Sequence, residues 1–482
     1  MKMSELQPQK VWQYFDEICQ VPRPSKQEEK IIKYLLETAK KIGVEAERDE
    51  IGNVLMRKPA SKGKENVTPV VFQSHMDMVC EKNSSSNHNF DTDPIKAEVE
   101  DGWLIAKETT LGADDGIGVA IQLALLADNT LEHGPIECLF TVDEETGLTG
   151  AKELKDGWLK GKMLLNLDSE DEGQFFIGCA GGIDTVINID YEMVETSEDS
   201  IAYKVAIEGF MGGHSGDDIN KGRGNATKQI ARLLYELTNR FDIELAHIDA
   251  GNLRNAISRE GYADVTFLKD DESLFLEFIK EFDAILKNEY RITDPNVVVS
   301  ATKIDCPNEV IDQLTTYDLI WSLYACPHGV LAMAQDIKDF VETSTNLASV
   351  KVLEDAIKIT TSQRSSVDSK KYDACAMVAT VFEMIGAEVE HGDGYPGWNP
   401  NPKSEVLNVL KDAYVNLFKK EPEVLAIHAG LECGLFSEKY PELDMISYGP
   451  TLRGVHAPGE KIDIKTVQQT WDLTLEFLRI LK

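Results

Sequence analysis

The chain has 482 residues, 42% of them hydrophobic and 27% charged, which allows two or more domains with proper cores and argues against a disordered chain. Lys and Arg number 49 against 83 Asp and Glu, a formal net charge of −34. That excess repels nucleic acid and anionic membrane, so neither is an expected partner, and it favours solubility.

The opening "MKMSELQPQKVWQYFDEI" holds no apolar run of signal-peptide length, and no later stretch approaches membrane-spanning length. The eight cysteines never fall at CxxC spacing, so neither a zinc ribbon nor a dense disulfide framework is expected. A reduced, cytoplasmic protein fits best.

In chain order, residues 9–43 read as helical, with Ser25 as an N-cap candidate and Gly43 as a stop. "TPVVFQS" reads as a strand, "DDGIGVAIQLALLAD" (114–128) as a helix and "PIECLFTVDE" (135–144) as a strand. "AKELKDGWL" reads as a short helix and "KMLLNLD" (162–168) as another strand. This alternation predicts an α/β domain whose sheet is largely parallel and buried. Two glycine-rich joints follow, "FIGCAGG" (176–182) and "HGDGYPGWNPNP" (391–402). The intervening residues carry their own patterns, "SIAYKVAIEGF" and "NATKQIARLLYELTNRF" among them. After the second joint, "KSEVLNVLKDAYVNLF", "EVLAIHAG" and "LDMISYGP" return to α/β patterning. The expected organisation is a discontinuous α/β catalytic domain, residues 1–184 and 396–482, with an α+β domain of residues 185–395 inserted.

Polar residues gather at the predicted strand ends. His75 and Asp77 follow "VVFQS", two positions apart and hence on one face of an extended chain. Asp114 and Asp115 begin a helix, Glu144 and Glu145 follow "IECLFTV", Asp168 ends "MLLNL", and His456 lies just past "MISYGP". Each alone has an ordinary reading: a satisfied histidine, a capped helix start, a solvated turn. Four successive strand-to-loop junctions each delivering a ligand-type side chain make chance a poor explanation. Ligands bind beyond the carboxyl ends of strands in open α/β sheets, so these groups can converge. Imidazoles and carboxylates without thiolate suit Zn²⁺, and also Mn²⁺ or Co²⁺.

The ordered motifs "SHMDMV", "TTLGADDGIGVA", "TVDEETGLTGA", "LLNLDSEDEG", "GGHSGDDI", "NLRNAIS", "QRSSVDS", "HAGLECGLF" and "GVHAPGE" resemble the dizinc exopeptidases. Aminoacylases, glutamate carboxypeptidases and dipeptidases belong to that family, and the likeness is nearest to its aminoacyl-histidine dipeptidase branch. The resemblance implies two divalent metals, with His75, Asp114 and Asp168 on one, Asp114, Glu145 and His456 on the other, and Asp114 as the bridge. It implies that Asp77 orients His75. It implies that Glu144 is the general base for a water activated between the metals. In the inserted lid it implies that His214 stabilises the oxyanion, that Asn255 contacts substrate and that Arg364 pairs with a substrate carboxylate. Glu432 is read as a contact for the substrate α-amine or as a buried structural carboxylate, and Asp115 as a helix cap. Gly-rich joints at both ends of the lid point to its closure over substrate.

The expected function is therefore hydrolysis of dipeptides, preferably Xaa-His including β-alanyl-histidine. The alternatives are an N-acyl-amino-acid deacylase or a broad dipeptidase on the same scaffold. More distant are a non-catalytic metal-dependent binding protein and a two-metal phosphatase or nuclease. The resemblance leaves open a homodimer through the lid or a site covered within one chain.

Overall fold

The computed structural model describes residues 3–335 and 337–482. The chain divides into two compact units. One comprises the residues up to Gly178 with Trp398–Ala426 and Leu431–Lys482, the other Cys179–Gly397 with Ile427–Gly430. The long crossings fall inside the two glycine-rich stretches. The short segment Ile427–Gly430, read from sequence as part of the α/β return, groups instead with the second unit.

The first unit is built on a mixed sheet. Its strands lie in the spatial order Glu45–Arg48, Val54–Lys58, Ile136–Thr141, Val70–His75, Met163–Asn166, Asp444–Ser447, Gln174–Cys179 and Glu423–Ile427. The central four, from Ile136–Thr141 to Asp444–Ser447, are mutually parallel. Every residue of Ile136–Thr141, Val70–His75 and Met163–Asn166 is buried. This is why these strands read as nearly continuous apolar runs rather than as alternating ones. Each fully buried Val, Leu or Phe contributes about 1.5–3 kcal/mol relative to exposure.

Helix Ala113–Ala127 packs on strand Val70–His75 and on helix Gln9–Cys19. It is apolar almost all round because it is buried almost all round. Among the described residues no helix is long and apolar enough to cross a membrane.

Two local expectations need correction. Helix Glu29–Ile42 starts after Glu28 without a side-chain cap, so Ser25 is not its N-cap; the Ser25 hydroxyl donates instead to Asp77 Oδ2 at 2.7 Å. The stop at Gly43 is there, in left-handed conformation with φ 75°, its N–H on Ala39 O. The helix expected in "AKELKDGWL" reaches only Lys152. Beyond it Leu154, Trp158 and Leu159 are buried through turns rather than along a helical face.

The second unit carries an antiparallel sheet in the order Val298–Ile304, Ser200–Glu208, Gly261–Leu268, Glu244–Ala250, Val341–Val352, Ile357–Ser365, Gly181–Ile189 and Glu388–His391. Helices Ala226–Thr238, Glu272–Glu289, Gln313–Ala325 and Asp368–Glu383 accompany it. Its core includes Ile187, Val205, Leu234, Phe275, Leu347 and Ile359. Asn225 caps helix Ala226–Thr238, accepting from Lys228 N. Strands Val341–Val352 and Ile357–Ser365 are unusual in burying consecutive polar residues, Glu342 to Asn346 and Ser362 to Ser365. Arg364 thus lies on an interior strand.

Candidate metal centre

Three of the four parallel strands of the first unit end in or lead to residues named from the sequence, and His456 follows the short strand Leu452–Arg453. Val70–His75 terminates in His75, Ile136–Thr141 leads to Glu144 and Glu145, and Met163–Asn166 leads to Asp168. Asp114 stands at the start of helix Ala113–Ala127, where the backbone is still non-helical (φ −79°, ψ 114°). Asp115 follows it and caps the regular helix, accepting from Gly118 N at 3.1 Å, as expected of it. Burial raises the Asp115 carboxyl to about 8.

Two donor groups form. In the first, His75 Nε2 lies 2.9 Å from Asp114 Oδ1 and 3.4 Å from Asp168 Oδ1. In the second, His456 Nε2 lies 3.1 Å from Asp114 Oδ2 and 2.9 Å from Glu145 Oε2. Within each group the donor atoms lie within 4.8 Å of one another, and Asp114 belongs to both, one oxygen to each. His75 is 1% exposed, and its other nitrogen, Nδ1, faces Asp77 Oδ1 at 3.4 Å without a formed hydrogen bond. Glu145 Oε1 is likewise buried without a partner.

The electrostatics are those of a site built for positive charge. Burial alone would depress the His75 pKa, yet the Asp168 and Asp114 carboxylates hold it well above the ordinary value. Hydrogen bonds to Asp114 and Glu145 raise His456 to about 11. Burial works to raise the Asp114 carboxyl, but the bonds from His456 and His75 hold it low. Burial and the Asp114 charge push Asp168 up. Burial and the neighbouring carboxylates of Glu432, Glu145 and Asp114 do the same to Glu144. Crowded, buried carboxylates of this kind favour positive charge in their midst. Nitrogen and oxygen donors converging in this way, with orphaned buried atoms beside them, fit a divalent metal at each group.

Asp77 has more partners than the sequence indicated. It is fully buried, and its two oxygens accept from the backbone N–H of Glu144 at 3.1 Å and of Glu145 at 3.3 Å. It therefore ties the end of one ligand-bearing strand to the turn that follows the next. The Glu144 carboxylate itself has no hydrogen-bond or ion-pair partner among the described residues.

Three supports escaped sequence reading. Glu460, 2% exposed, accepts from the backbone N–H of Leu111 (2.7 Å), Gly112 (3.0 Å) and Ala113 (2.8 Å), the residues that deliver Asp114. Arg23 donates to the carbonyls of Met76 and Asp77 at 3.1 and 2.6 Å and also to Gly112 O, joining two ligand-bearing segments. The third is a buried polar belt across the parallel strands. Gln73 Nε2 and Thr141 Oγ1 donate to Glu432 Oε2 at 2.5 and 2.9 Å, Asn166 Nδ2 donates to Gln73 Oε1 at 2.7 Å, and Ser447 Oγ donates to Asn166 Oδ1 at 2.5 Å. Glu432, read as a contact for a substrate amine or as a buried structural carboxylate, is 1% exposed, with Oε2 engaged in this belt and Oε1 buried without a hydrogen-bond partner.

Glu460→Ala would leave three buried N–H groups without an acceptor, at about 1–3 kcal/mol each. A loss of at least about 3 kcal/mol in urea or thermal denaturation is expected. A variant as stable as the parent would show that this cradle is dispensable.

The remaining residues named from sequence lie in the second unit. His214 Nδ1 accepts from the backbone N–H of Gly216 at 3.3 Å and Asp217 at 3.2 Å, which leaves Nε2 to carry the ring proton. Asn255 is exposed in the loop before Ala256–Ile257. Arg364 is 7% exposed and has neutral partners, Tyr395 Oη at 2.9 Å and Ser215 Oγ at 3.4 Å. Among the described residues no carboxylate pairs with it. Asn255 and Arg364 line one cavity of about 470 Å³.

Comparison with known proteins places this geometry. The family model described as peptidase family M20/M25/M40 matches residues 71–479. The cytosol non-specific dipeptidase of Escherichia coli (strain K12) is 39% identical over 478 residues, 99% of each chain. The crystal structure of aminoacylhistidine dipeptidase from Vibrio alginolyticus matches with a TM-score of 0.94 at 40% identity, covering 100% of this chain and 98% of that one. Aminopeptidase PepT from Bacillus cereus, at 18% identity and a TM-score of 0.58 over 98% of each chain, shares the fold. Strand ends that converge on two imidazole–carboxylate groups, in a chain matched almost end to end, leave one assignment: the chain belongs to peptidase family M20/M25/M40 and is a peptide-bond hydrolase.

Proposed function

We propose that this chain is a metal-dependent dipeptidase that acts in the cytosol and prefers Xaa-His substrates, β-alanyl-histidine included. The observation that carries the reading is the pair of donor groups sharing Asp114, with the unengaged carboxylate of Glu144 beside Glu145. The names of the two relatives at 39% and 40% identity support dipeptides as the substrate class, and one of them supports the histidine preference.

His75, Asp114 and Asp168 would hold one divalent ion, and Asp114, Glu145 and His456 the other; zinc suits this donor set, as do manganese and cobalt. Bound cations would supply positive charge that neutralises the carboxylates and brings the pKa of water towards about 7. The chain's own groups do the rest. Glu144 takes the proton of the attacking water and returns it to the leaving amine. Asp77 fixes the turn that presents Glu144 and Glu145 and faces the second nitrogen of His75. His214, its Nε2 protonated, donates to the oxygen that gains charge. Arg364, a buried cation with only hydroxyl hydrogen-bond partners, takes the substrate carboxylate, and Asn255 adds a polar contact.

The test is a release assay on metal-reconstituted protein with β-alanyl-histidine, alanyl-histidine, alanyl-alanine and N-acetyl-histidine. Cleavage of the first two, weak action on the third and none on the fourth is expected. Equal action on alanyl-alanine would replace the histidine preference with a broad dipeptidase. Preference for the acetylated compound would make the chain a deacylase.

A further inference from the structure

The second unit holds a donor that no role above uses. The cavity of about 470 Å³ is lined by Gly182, Asn255, Ser362, Arg364, Gly394 and Tyr395 among others. Of its two arginines, Arg254 is neutralised by Asp184 at 2.5 Å, whereas Arg364 is buried with only hydroxyl partners. Asp217 lies near enough for the Arg364 charge to act on it, but no carboxylate among the described residues forms a salt bridge with this buried guanidinium, so a ligand anion is the natural source of a direct partner.

Tyr395 is the partner of Arg364, and its hydrogen bonding is incomplete. The phenol oxygen accepts from Arg364 Nη1 at 2.9 Å. Guanidinium has no lone pair to accept in return, so the phenol proton must point elsewhere. Among the described residues nothing within hydrogen-bond distance accepts it. Burial raises the phenol pKa, so the hydroxyl keeps that proton.

The hydroxyl is also held in place. Tyr395 N donates to Gly182 O at 2.8 Å, while Tyr395 O accepts from Gly182 N at 3.1 Å and from the buried Lys371 Nζ at 2.8 Å. Gly182 is needed for this approach: a Cβ there would lie 2.7 Å from the phenol oxygen and 2.8 Å from Cζ. Side-chain growth at residue 182 would push the ring away from Arg364.

We propose that Tyr395 and Arg364 form a two-donor clamp in which Tyr395 O–H and the Arg364 guanidinium hold the carboxylate of the substrate's C-terminal residue. This rests on the dipeptidase reading above. In a chain of net charge −34 a carboxylate approaches against the overall field, so two fixed donors select a substrate with a free C-terminus over one whose end is blocked.

The experiment compares alanyl-histidine with alanyl-histidinamide on wild type and Tyr395→Phe. Wild type is expected to prefer the acid in kcat/KM, and the variant to lose about tenfold or more of that preference, the worth of one hydrogen bond to a charged group. An undiminished preference overturns the clamp, as does an equal loss on both substrates. A second measurement avoids any folding defect of the variant: a crystal structure of wild type soaked with L-histidine. Its carboxylate is expected within about 3 Å of both Tyr395 Oη and the Arg364 guanidinium. A carboxylate held by Arg364 alone, or bound elsewhere, overturns the clamp. Wild type that hydrolyses neither substrate defeats the dipeptidase reading, and the clamp is then judged by the soaked structure.

Discussion

Glu144→Gln is expected to lower kcat on alanyl-histidine by roughly 10²–10⁴-fold, the usual worth of a positioned general base. The substitution is close to isosteric and removes only the ability to take a proton. Neighbouring Glu145 places Oε2 2.9 Å from His456 and is committed to a donor group, whereas the carboxylate of Glu144 has no partner among the described residues. Both backbone N–H groups rest on Asp77, so the turn keeps its geometry when the Glu144 side chain is changed. Metal content of the variant should therefore match wild type, and its fall in turnover should appear in kcat rather than KM. Activity within tenfold of wild type would remove Glu144 from the role of base. Loss of metal along with activity would instead mean that Glu144 and Glu145 have been assigned the wrong way round.

Position at strand ends gathered the candidate residues, and likeness to a family's ordered motifs assigned their roles. Val70, Val71 and Phe72 announce a strand buried on both faces, and a histidine and an aspartate at the end of such a strand are buried with it, which sets them apart from a solvated turn. His75, Asp114, Glu145, Asp168 and His456 were named on those grounds and on motif likeness, and their donor atoms come together. The parallel centre of the sheet followed from the same runs.

The supports were not legible, because each acts on backbone groups or within the core. Glu460 binds three N–H groups nearly 350 residues away in sequence, and nothing local marks it as different from any acidic turn residue. Arg23 lies in "VPRPS", where an arginine reads as solvated, yet it is 3% exposed and spends its guanidinium on carbonyls. Gln73, Thr141, Asn166 and Ser447 are single polar residues inside apolar strands, and only the register of those strands reveals them as one belt. Ser25 misled for a related reason. Its hydroxyl had two uses, capping the next helix or bonding Asp77, and only the fold brings Asp77 within reach. The second unit was harder still, since the buried polar run Ser362 to Ser365 has the composition of an exposed loop.

Asp114→Ala is expected to abolish binding at both metal positions, whereas Asp168→Ala and His456→Ala should each weaken mainly one. The reason is the division of a single carboxylate: Oδ1 faces His75 at 2.9 Å and Oδ2 faces His456 at 3.1 Å. Losing an outer-shell partner of a ligand typically costs about 10–100-fold in metal affinity, and losing a ligand common to two positions should cost more than that at each. The readout is metal stoichiometry by elemental analysis after dialysis against a defined free-metal buffer, which does not depend on turnover. The expected order is two ions per chain in wild type, about one in the single-position variants and close to none in Asp114→Ala. Glu460→Ala belongs in the same series: its acceptor oxygens hold the segment that delivers Asp114, so it should resemble a weakened Asp114 variant with the loss spread over both positions. Two ions retained in Asp114→Ala would show that the two donor groups are independent and that the bridge is not one. One ion retained would say which group can assemble alone, and His75, held between Asp168 and the rigid strand Val70–His75, makes the first group the one expected to survive in that case.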